Sequence, residues 1–238
     1  MRNAKGEPNG IVLENGGNMI VSKALDPKTY PELETYNYGY LLDGLATLAE
    51  NGITSCVDAR NYWKRGHTAP WERAAKEGAL TVKAVLSMWA HPEETDDDAQ
   101  IAKLKTFFSN DPNSRLRKSQ IKFYMDGLLA TRTARVKRAY VKKTPDYGIG
   151  DHGVNYFDQA RIQKYAEELQ NIDGGPGFDF LLHAVGDLSI SEALNAFEAA
   201  APKAKVPTRH KLSHVELVDP EDMPRFKKLG IIADAQVG

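Results

Sequence analysis

Short runs of apolar and β-branched residues recur along the chain and alternate with segments of helical periodicity. Runs of this length and composition predict β-strands. They lie at six places: 53–59, 81–90, 121–127, 178–187, 210–217 and 230–237. Between them, apolar residues recur every three or four positions, as in Leu41, Leu45 and Leu48, which predicts amphipathic helices. The chain is therefore predicted to alternate strand and helix.

This alternation predicts an α/β fold with a parallel sheet. The strands are too continuously apolar to have one face in water, which is typical of a parallel sheet covered by helices. A doubly wound sheet and a (β/α)8 barrel both have this organisation. No GxGxxG sequence opens a helix after any strand, which weakens the nucleotide-binding interpretation. Two helix starts are marked, by a capping box at Ser189 and Glu192 and by an N-cap at Asp219 before Pro220.

The strand predicted over 121–127 carries a lysine inside an apolar run. Because side chains alternate along a strand, Lys122, Tyr124 and Asp126 face one way, opposite to the apolar residues between them. An uncompensated ammonium inside a sheet costs several kcal/mol or loses its proton. Lys122 therefore needs a partner or a chemical role.

Two later strands carry a histidine near their carboxyl ends, where barrel enzymes hold their active sites. His183 shares a face with Leu181, and we expect His214 to share the polar face of its strand with Leu212. The separations along the chain allow strand-helix-strand returns that bring Lys122, His183 and His214 side by side. Two neutral imidazoles with a third donor form a candidate site for a divalent metal of the zinc type.

Simpler interpretations of these residues stay open. A buried histidine is more often a hydrogen-bonded core residue, and a strand lysine often extends its ammonium past the sheet edge. The other histidines are expected to be loop, structural or exposed residues: His67, His91, His152 and His210. Three carboxylates near strand ends are either orienters of ligating histidines or turn and cap residues: Asp58, Asp126 and Asp187.

Composition excludes several classes of function. With 238 residues, 42% hydrophobic and 26% charged, the chain has the composition of an ordinary soluble domain. The 31 basic and 32 acidic residues nearly cancel, so we expect no nucleic-acid partner. The single cysteine excludes an intrachain disulfide, and no apolar stretch predicts a membrane span or signal peptide. A homo-oligomer stays open, and the compartment is unassigned, with the cytoplasm as default.

Five ordered motifs resemble a known family. They are GEPNGIVLE, LAENGITSCVDA, IKFYMDGLLATRTA, LLHAVGDLSISEALNAFEAA and RHKLSHVELVDPEDMPRFKKLGIIADAQ. They resemble the amidohydrolase superfamily, in the branch called amidohydrolase family 3, which includes N-substituted formamide deformylase-like enzymes and relatives labelled exoenzyme regulatory protein. The resemblance spans nearly the whole chain. It implies a metal-dependent (β/α)8 TIM-type barrel that hydrolyses C–N bonds of small-molecule amides other than peptides.

The resemblance also implies roles for individual residues. Lys122, in the KFYMDG motif, is expected to take up CO2 and form a carbamate that bridges two metals, and His183 and His214 are expected as metal ligands. One or two divalent metals, zinc above all, are expected in the intact enzyme, with metal-activated water as nucleophile. Asp126 and Arg132, in the segment that leaves the strand, are expected to contact the substrate.

Two departures from the family pattern shape the expected domain organisation. Ser213 stands where the wider family often has Glu, which suggests a subgroup. The His-x-His pair of the family's first strand and the catalytic Asp of its last strand are not found in this sequence. The six strands are therefore expected to be strands two to seven, so that residues 1–238 form a partial barrel domain without strand one, strand eight and the N-terminal β-domain. Such a chain is expected to be inactive alone.

Two other functions stay open. A phosphoester hydrolase can use a similar barrel, because strand ends do not discriminate between substrates. A catalytically silent module that folds only with a partner chain belongs to a different class. Bound metal and a carbamate on Lys122 would separate a competent site from the silent module.

Overall fold

The computed structural model describes residues 5–141 and 150–236. The helices are α1 (Asn15–Ala24), α2 (Leu33–Glu50), α3 (Thr68–Lys76), α4 (Asp97–Lys105), α5 (Gln159–Leu169), α6 (Asp187–Ala200) and α7 (Met223–Leu229). The strands are β1 (Ser55–Asn61), β2 (Lys83–Trp89), β3 (Leu116–Tyr124), β4 (Asn171–Ile172), β5 (Gly175–Pro176), β6 (Asp179–Ala184), β7 (Lys211–His214) and β8 (Ile232–Ala235). None of these helices is long and apolar enough to cross a membrane.

The six predicted strands are all present, as β1, β2, β3, β6, β7 and β8. Residue 237, the last of the strand predicted over 230–237, lies outside the described residues. The six strands form one sheet in chain order, and the pairs β3–β6, β6–β7 and β7–β8 are parallel. A doubly wound sheet reverses its strand order at a switch point. An order without reversal is that of a barrel segment, which is consistent with the predicted partial TIM-type barrel.

The chain divides into two compact units. Of the described residues, the first unit contains 5–57, 61–84 and 113–116, and the second contains 58–60, 85–112, 117–141 and 150–236. Within the first unit, the guanidinium of Arg65 lies 3.9 Å from the ring centroid of Tyr62 and donates to Ser22 and to the carbonyl of Asn18. The candidate site residues all belong to the second unit.

Aromatic packing fills the apolar side of the sheet in the second unit. Phe123 of β3 stacks on Phe180 of β6 with ring centroids 5.5 Å apart. The rings of Phe157 and Tyr165 meet Phe123 edge-on, at 5.0 and 5.3 Å. All four side chains are fully buried. This confirms that one face of β3 is apolar and that Lys122 lies on the other face.

Both predicted helix starts are wrong. α6 begins two residues before Ser189, and Glu192 pairs with the guanidinium of Arg135 instead of turning back to a cap. α7 begins at the third residue after Pro220, because Asp219 and the residues that follow it form a turn. In each case a side-chain contact or local turn overrides the capping motif.

Candidate active site

Lys122, His183 and His214 come from three adjacent strands: β3, β6 and β7. The β3–β6 register pairs Lys122 with Leu181 and Tyr124 with His183. Residues paired directly in a parallel sheet point to the same side, so Lys122 and His183 share a face. The ring centroids of His183 and His214 lie 4.4 Å apart. The structure therefore brings together the three residues that the sequence predicted as metal ligands.

His214 reaches this site in a way that strand alternation does not predict. The β6–β7 register pairs His183 with Ser213 and Leu182 with Leu212. Leu212 is fully buried and continues the apolar face, so the expectation that Leu212 and His214 share the polar face is wrong. His214 ends β7 with φ of 76°, a left-handed conformation that is uncommon for residues other than glycine. This departure from extended backbone allows its ring to meet His183.

A single tautomer of His183 follows from its surroundings. Its Nε2 lies 2.9 Å from the carbonyl oxygen of Gly127, and a carbonyl can only accept, so Nε2 carries the proton. The ring of Tyr124 stacks on the imidazole at 4.3 Å. Nδ1 is buried and has no hydrogen-bond partner among the described residues. A buried nitrogen lone pair without a donor suits a metal ion, which neutral imidazoles commonly bind.

Burial and neighbouring cations favour the neutral forms of the basic groups of this site. Burial lowers the pKa of Lys122 to about 7, with the Arg60 guanidinium adding to the effect and Asp234 opposing it. Burial lowers the pKa of His183 to about 3, helped by His214, Lys122 and Arg60. Burial and then Lys122 lower the pKa of His214. Neutral imidazoles can coordinate a metal, and the neutral amine is the form of lysine that reacts with CO2.

Asp126 lies just beyond the end of β3 and is fully buried. Its carboxylate accepts the backbone N–H groups of Arg135 (2.9 Å), Val185 (3.1 Å) and Gly186 (2.8 Å). Burial raises its pKa to about 6, although these donors favour the charged form. Oδ1 also lies 3.6 Å from Nε2 of His183. Asp126 therefore links the loop after β3, through hydrogen bonds, to the segment between β6 and α6, and lies beside the candidate metal ligand His183.

The remaining sequence candidates occupy varied positions. Arg132 lies half-buried on the loop after β3 with φ of 57°, and its contact with a substrate stays a prediction. The other histidines lie as follows: His67 at the N-cap of α3; His91, buried, with Nδ1 3.0 Å from Glu93; His152 with Nδ1 2.9 Å from the carbonyl oxygen of Val136; and His210, buried, before β7. The expectation of loop or structural positions is met by these placements.

Sequence reasoning missed charged residues on the outer strands. The guanidinium of Arg60, in β1, lies 5.3 Å from the ring centroid of Trp89 and 4.9 Å from that of Tyr124. Asp234, in β8, accepts a hydrogen bond of 2.9 Å from Ser213, the residue that stands where the wider family often has Glu. Asp234 is a polar residue inside an apolar strand-like run, the same signal that singles out the strand lysine. Arg60 directly follows such a run.

The chemistry of the donor set is compatible with a divalent metal ion. Within residues 5–141 and 150–236, no three His, Cys, Asp or Glu side chains lie close enough together to hold a metal ion. The available donors are two neutral imidazoles and an amine that would become an anionic oxygen donor as a carbamate. The unpaired Nδ1 of His183 is the observation that favours this arrangement.

Comparisons with known proteins agree on the family and the fold. The amidohydrolase family model matches residues 1–238. The protein named "Putative amidohydrolase YtcJ" from Bacillus subtilis (strain 168) is 25% identical over 240 residues, which are 99% of this chain and 40% of that protein. The chain therefore spans less than half the length of this relative.

Two solved structures share the fold. They are crystal structures of uncharacterized metal-dependent hydrolases from Pyrococcus horikoshii OT3 (TM-score 0.64, 19% identity) and Pyrococcus furiosus (TM-score 0.62, 22% identity). Each alignment covers 84% of this chain, and 36% and 37% of the respective relatives.

Proposed function

Because the chain belongs to the amidohydrolase family, we propose that its complete polypeptide is a metal-dependent hydrolase of an amide-type, non-peptide C–N bond. Lys122, His183 and His214 would hold the divalent metal, which we propose to be zinc because imidazoles with an oxygen donor suit that ion. The supporting observation is the buried, unpaired Nδ1 of His183, with a second imidazole 4.4 Å away between ring centroids on the next strand.

Each of the three residues would have a separate part. His183 presents the lone pair of Nδ1, because the carbonyl of Gly127 holds the proton on Nε2. His214 supplies the second imidazole. Lys122, whose pKa is about 7, has a large neutral fraction near neutral pH; its amine adds to CO2 and releases a proton, which gives a carbamate. When bound, a divalent metal lowers the pKa of coordinated water and polarises a carbonyl.

Asp126 is proposed as a positioning residue. Its three backbone hydrogen bonds hold the loop whose Gly127 carbonyl fixes the tautomer of His183. Both carboxylate oxygens of Asp126 accept these bonds, so of the two residues expected to contact the substrate, Asp126 and Arg132, we propose that role for Arg132 alone. The substrate class proposed is a small N-substituted amide, as in the formamide deformylase-like branch.

We also propose that the six strands correspond to strands two to seven of a complete (β/α)8 barrel. The unreversed strand order supports this assignment, and so does the greater length of the relatives that the chain matches. The remaining metal ligands and the proton acceptor would then belong to the other strands of the barrel.

Zinc binding and carbamate formation test the proposed site directly. The purified chain, loaded with zinc and ¹³C-labelled bicarbonate, is expected to bind zinc and to gain one CO2 by mass and a carbamate signal by ¹³C NMR. His183→Gln should reduce zinc content, and Lys122→Arg should remove the carbamate. His152→Gln, at an exposed side chain, is the matched control. Zinc binding that falls equally in His183→Gln and His152→Gln would contradict the assignment.

The reaction class needs a separate assay. The zinc-loaded complete polypeptide is incubated with N-substituted formamides and with p-nitrophenyl phosphate. Release of amine supports the proposed function, whereas release of phosphate alone would favour a phosphoester hydrolase. A polypeptide with full zinc occupancy that acts on neither class would favour a silent module.

A further inference from the structure

A cavity of about 490 Å³ lies in the second unit at the amino-terminal ends of β7 and β8. Its size is within the range of small-molecule sites. His210, which lines it, precedes β7, whereas His214 ends that strand. The two histidines are therefore separated by the length of β7, roughly 13 Å at 3.3 Å per residue. The cavity is separate from the candidate metal centre.

One side of this cavity is apolar. Phe197 of α6, Val206 of the loop before β7, Leu229 at the end of α7 and Ile231 before β8 all line it. Phe197 and Ile231 are buried, at 3% and 7% exposure, so they form a fixed part of the wall. Such a wall favours an apolar group on the ligand, because contact removes apolar surface of both partners from water.

His210 contributes a neutral hydrogen-bond donor to the same cavity. Its Nδ1 accepts the backbone N–H of Phe180 at 3.2 Å, so the proton of the neutral ring is on Nε2. The ring stacks on Phe197, with centroids 4.5 Å apart and planes 20° from parallel. His210 is only 2% exposed, and burial lowers its pKa to about 3, which keeps the ring neutral. The described residues offer no hydrogen-bond acceptor to Nε2, so solvent or an oxygen on a ligand can accept its proton.

The charges around this cavity favour an anion. Lys205 and Lys228 both line it. The ammonium of Lys228 is paired with Glu198 at 2.8 Å, so its charge is largely compensated. Lys205 is exposed, and its backbone N–H donates to Oδ1 of Asn171. Its ammonium forms no ion pair within the described part of the chain. An uncompensated positive charge and a neutral N–H donor that line one cavity are together complementary to a carboxylate.

We propose that this cavity binds a small organic acid. Its carboxylate would accept the Nε2–H of His210 and be attracted by Lys205, and its apolar tail would lie against Phe197, Leu229 and Ile231. This ligand is not the acid product of the proposed reaction, because a formamide releases formate, which has no apolar tail. The site does not depend on that function, because its residues lie at the other end of the sheet from the metal ligands.

Calorimetric titration with 3-phenylpropionate tests the proposal, with a chelator present so that metal cannot hold the acid. We expect saturable binding of one equivalent, and at least fivefold weaker binding of 3-phenylpropionamide, which has the same tail without the charge. Lys205→Gln should weaken binding of the acid about fivefold, which corresponds to about 1 kcal/mol. Lys205→Arg should retain it. Lys203→Gln is the control, because Lys203 is close in sequence but does not line the cavity.

A second variant tests the buried donor. His210→Asn retains an acceptor for the N–H of Phe180 but lacks the distal donor, and it should lose binding of the acid. Circular dichroism reports whether it folds, and if it does not, the Lys205 series decides. Three results would overturn the proposal: no binding of the acid, equal binding of acid and amide, or equal effects of Lys205→Gln and Lys203→Gln. Loss of binding in His183→Gln would place the acid at the metal centre and would also overturn it.

Discussion

Acidification should destabilise the folded chain through His210. Burial lowers the pKa of this imidazole from 6.5 to about 3, whereas the unfolded chain keeps the ordinary value. At pH values between about 3 and 6.5, His210 is mostly protonated in the unfolded chain and mostly neutral in the folded chain. The contribution of the neutral ring is complete above pH 6.5 and is lost as the pH falls toward 3. At about 1.4 kcal/mol per pH unit, the free energy of unfolding should drop by about 2 kcal/mol by pH 5.

Equilibrium urea unfolding at pH 7 and pH 5 measures this effect. His183 has a similarly lowered pKa and titrates in the same sense, so only the difference between wild type and a variant isolates His210. His210→Asn has no titrating group but keeps an acceptor for the backbone, and it should lose about 2 kcal/mol less than wild type between the two pH values. Equal losses in the two proteins would refute the inference that His210 is buried as a neutral base.

Three further predictions concern stability, each measured by urea unfolding. Asp126→Asn removes a charged acceptor of three backbone N–H groups and should cost about 3 kcal/mol; a loss below about 1 kcal/mol would contradict its positioning role. Gly186→Ala would place a Cβ 1.9 Å from a backbone oxygen and should cost more than about 2 kcal/mol, whereas Gly44→Ala, at an open helix position, should add about 0.5–1 kcal/mol. Arg161→Lys keeps the positive charge but loses the bidentate hydrogen bonds to Asp97, and should lower the free energy of unfolding by about 2 kcal/mol. An unchanged free energy of unfolding would show that the charge alone is sufficient for stability.

The strands and the lysine site were predictable because their signals are local. Each strand coincides with a short apolar run, so all six could be located although β8 is exposed along its whole length, and their observed order then separates a barrel segment from a doubly wound sheet. Period-two alternation placed Lys122 on the face opposite Phe123 without any knowledge of its neighbours. Both inferences use residues no more than a few positions apart.

The remaining features depend on contacts between residues far apart in the sequence. The carboxylate of Asp126 binds backbone groups 59 and 60 residues away, and Glu192 leaves its predicted capping role for Arg135, 57 residues away. The approach of His214 to His183 depends on a left-handed residue that is not glycine, for which the sequence has no signal. The prediction that these two residues meet was right, but the face assignment used to reach it was wrong.

The guanidinium of Arg60 affects both the protonation of Lys122 and its proposed reaction with CO2. Arg60 repels the ammonium and, together with burial, favours the neutral amine. If that amine is carboxylated, the group becomes an anion, and the same guanidinium then attracts it. Arg60 would thus favour the reactant form of the lysine before the reaction and the carbamate after it. Arg60→Gln should therefore raise the pKa of Lys122 and reduce the ¹³C carbamate signal at a given bicarbonate concentration, while Arg60→Lys should preserve both. An unchanged signal in Arg60→Gln would show that burial alone sets the state of this lysine.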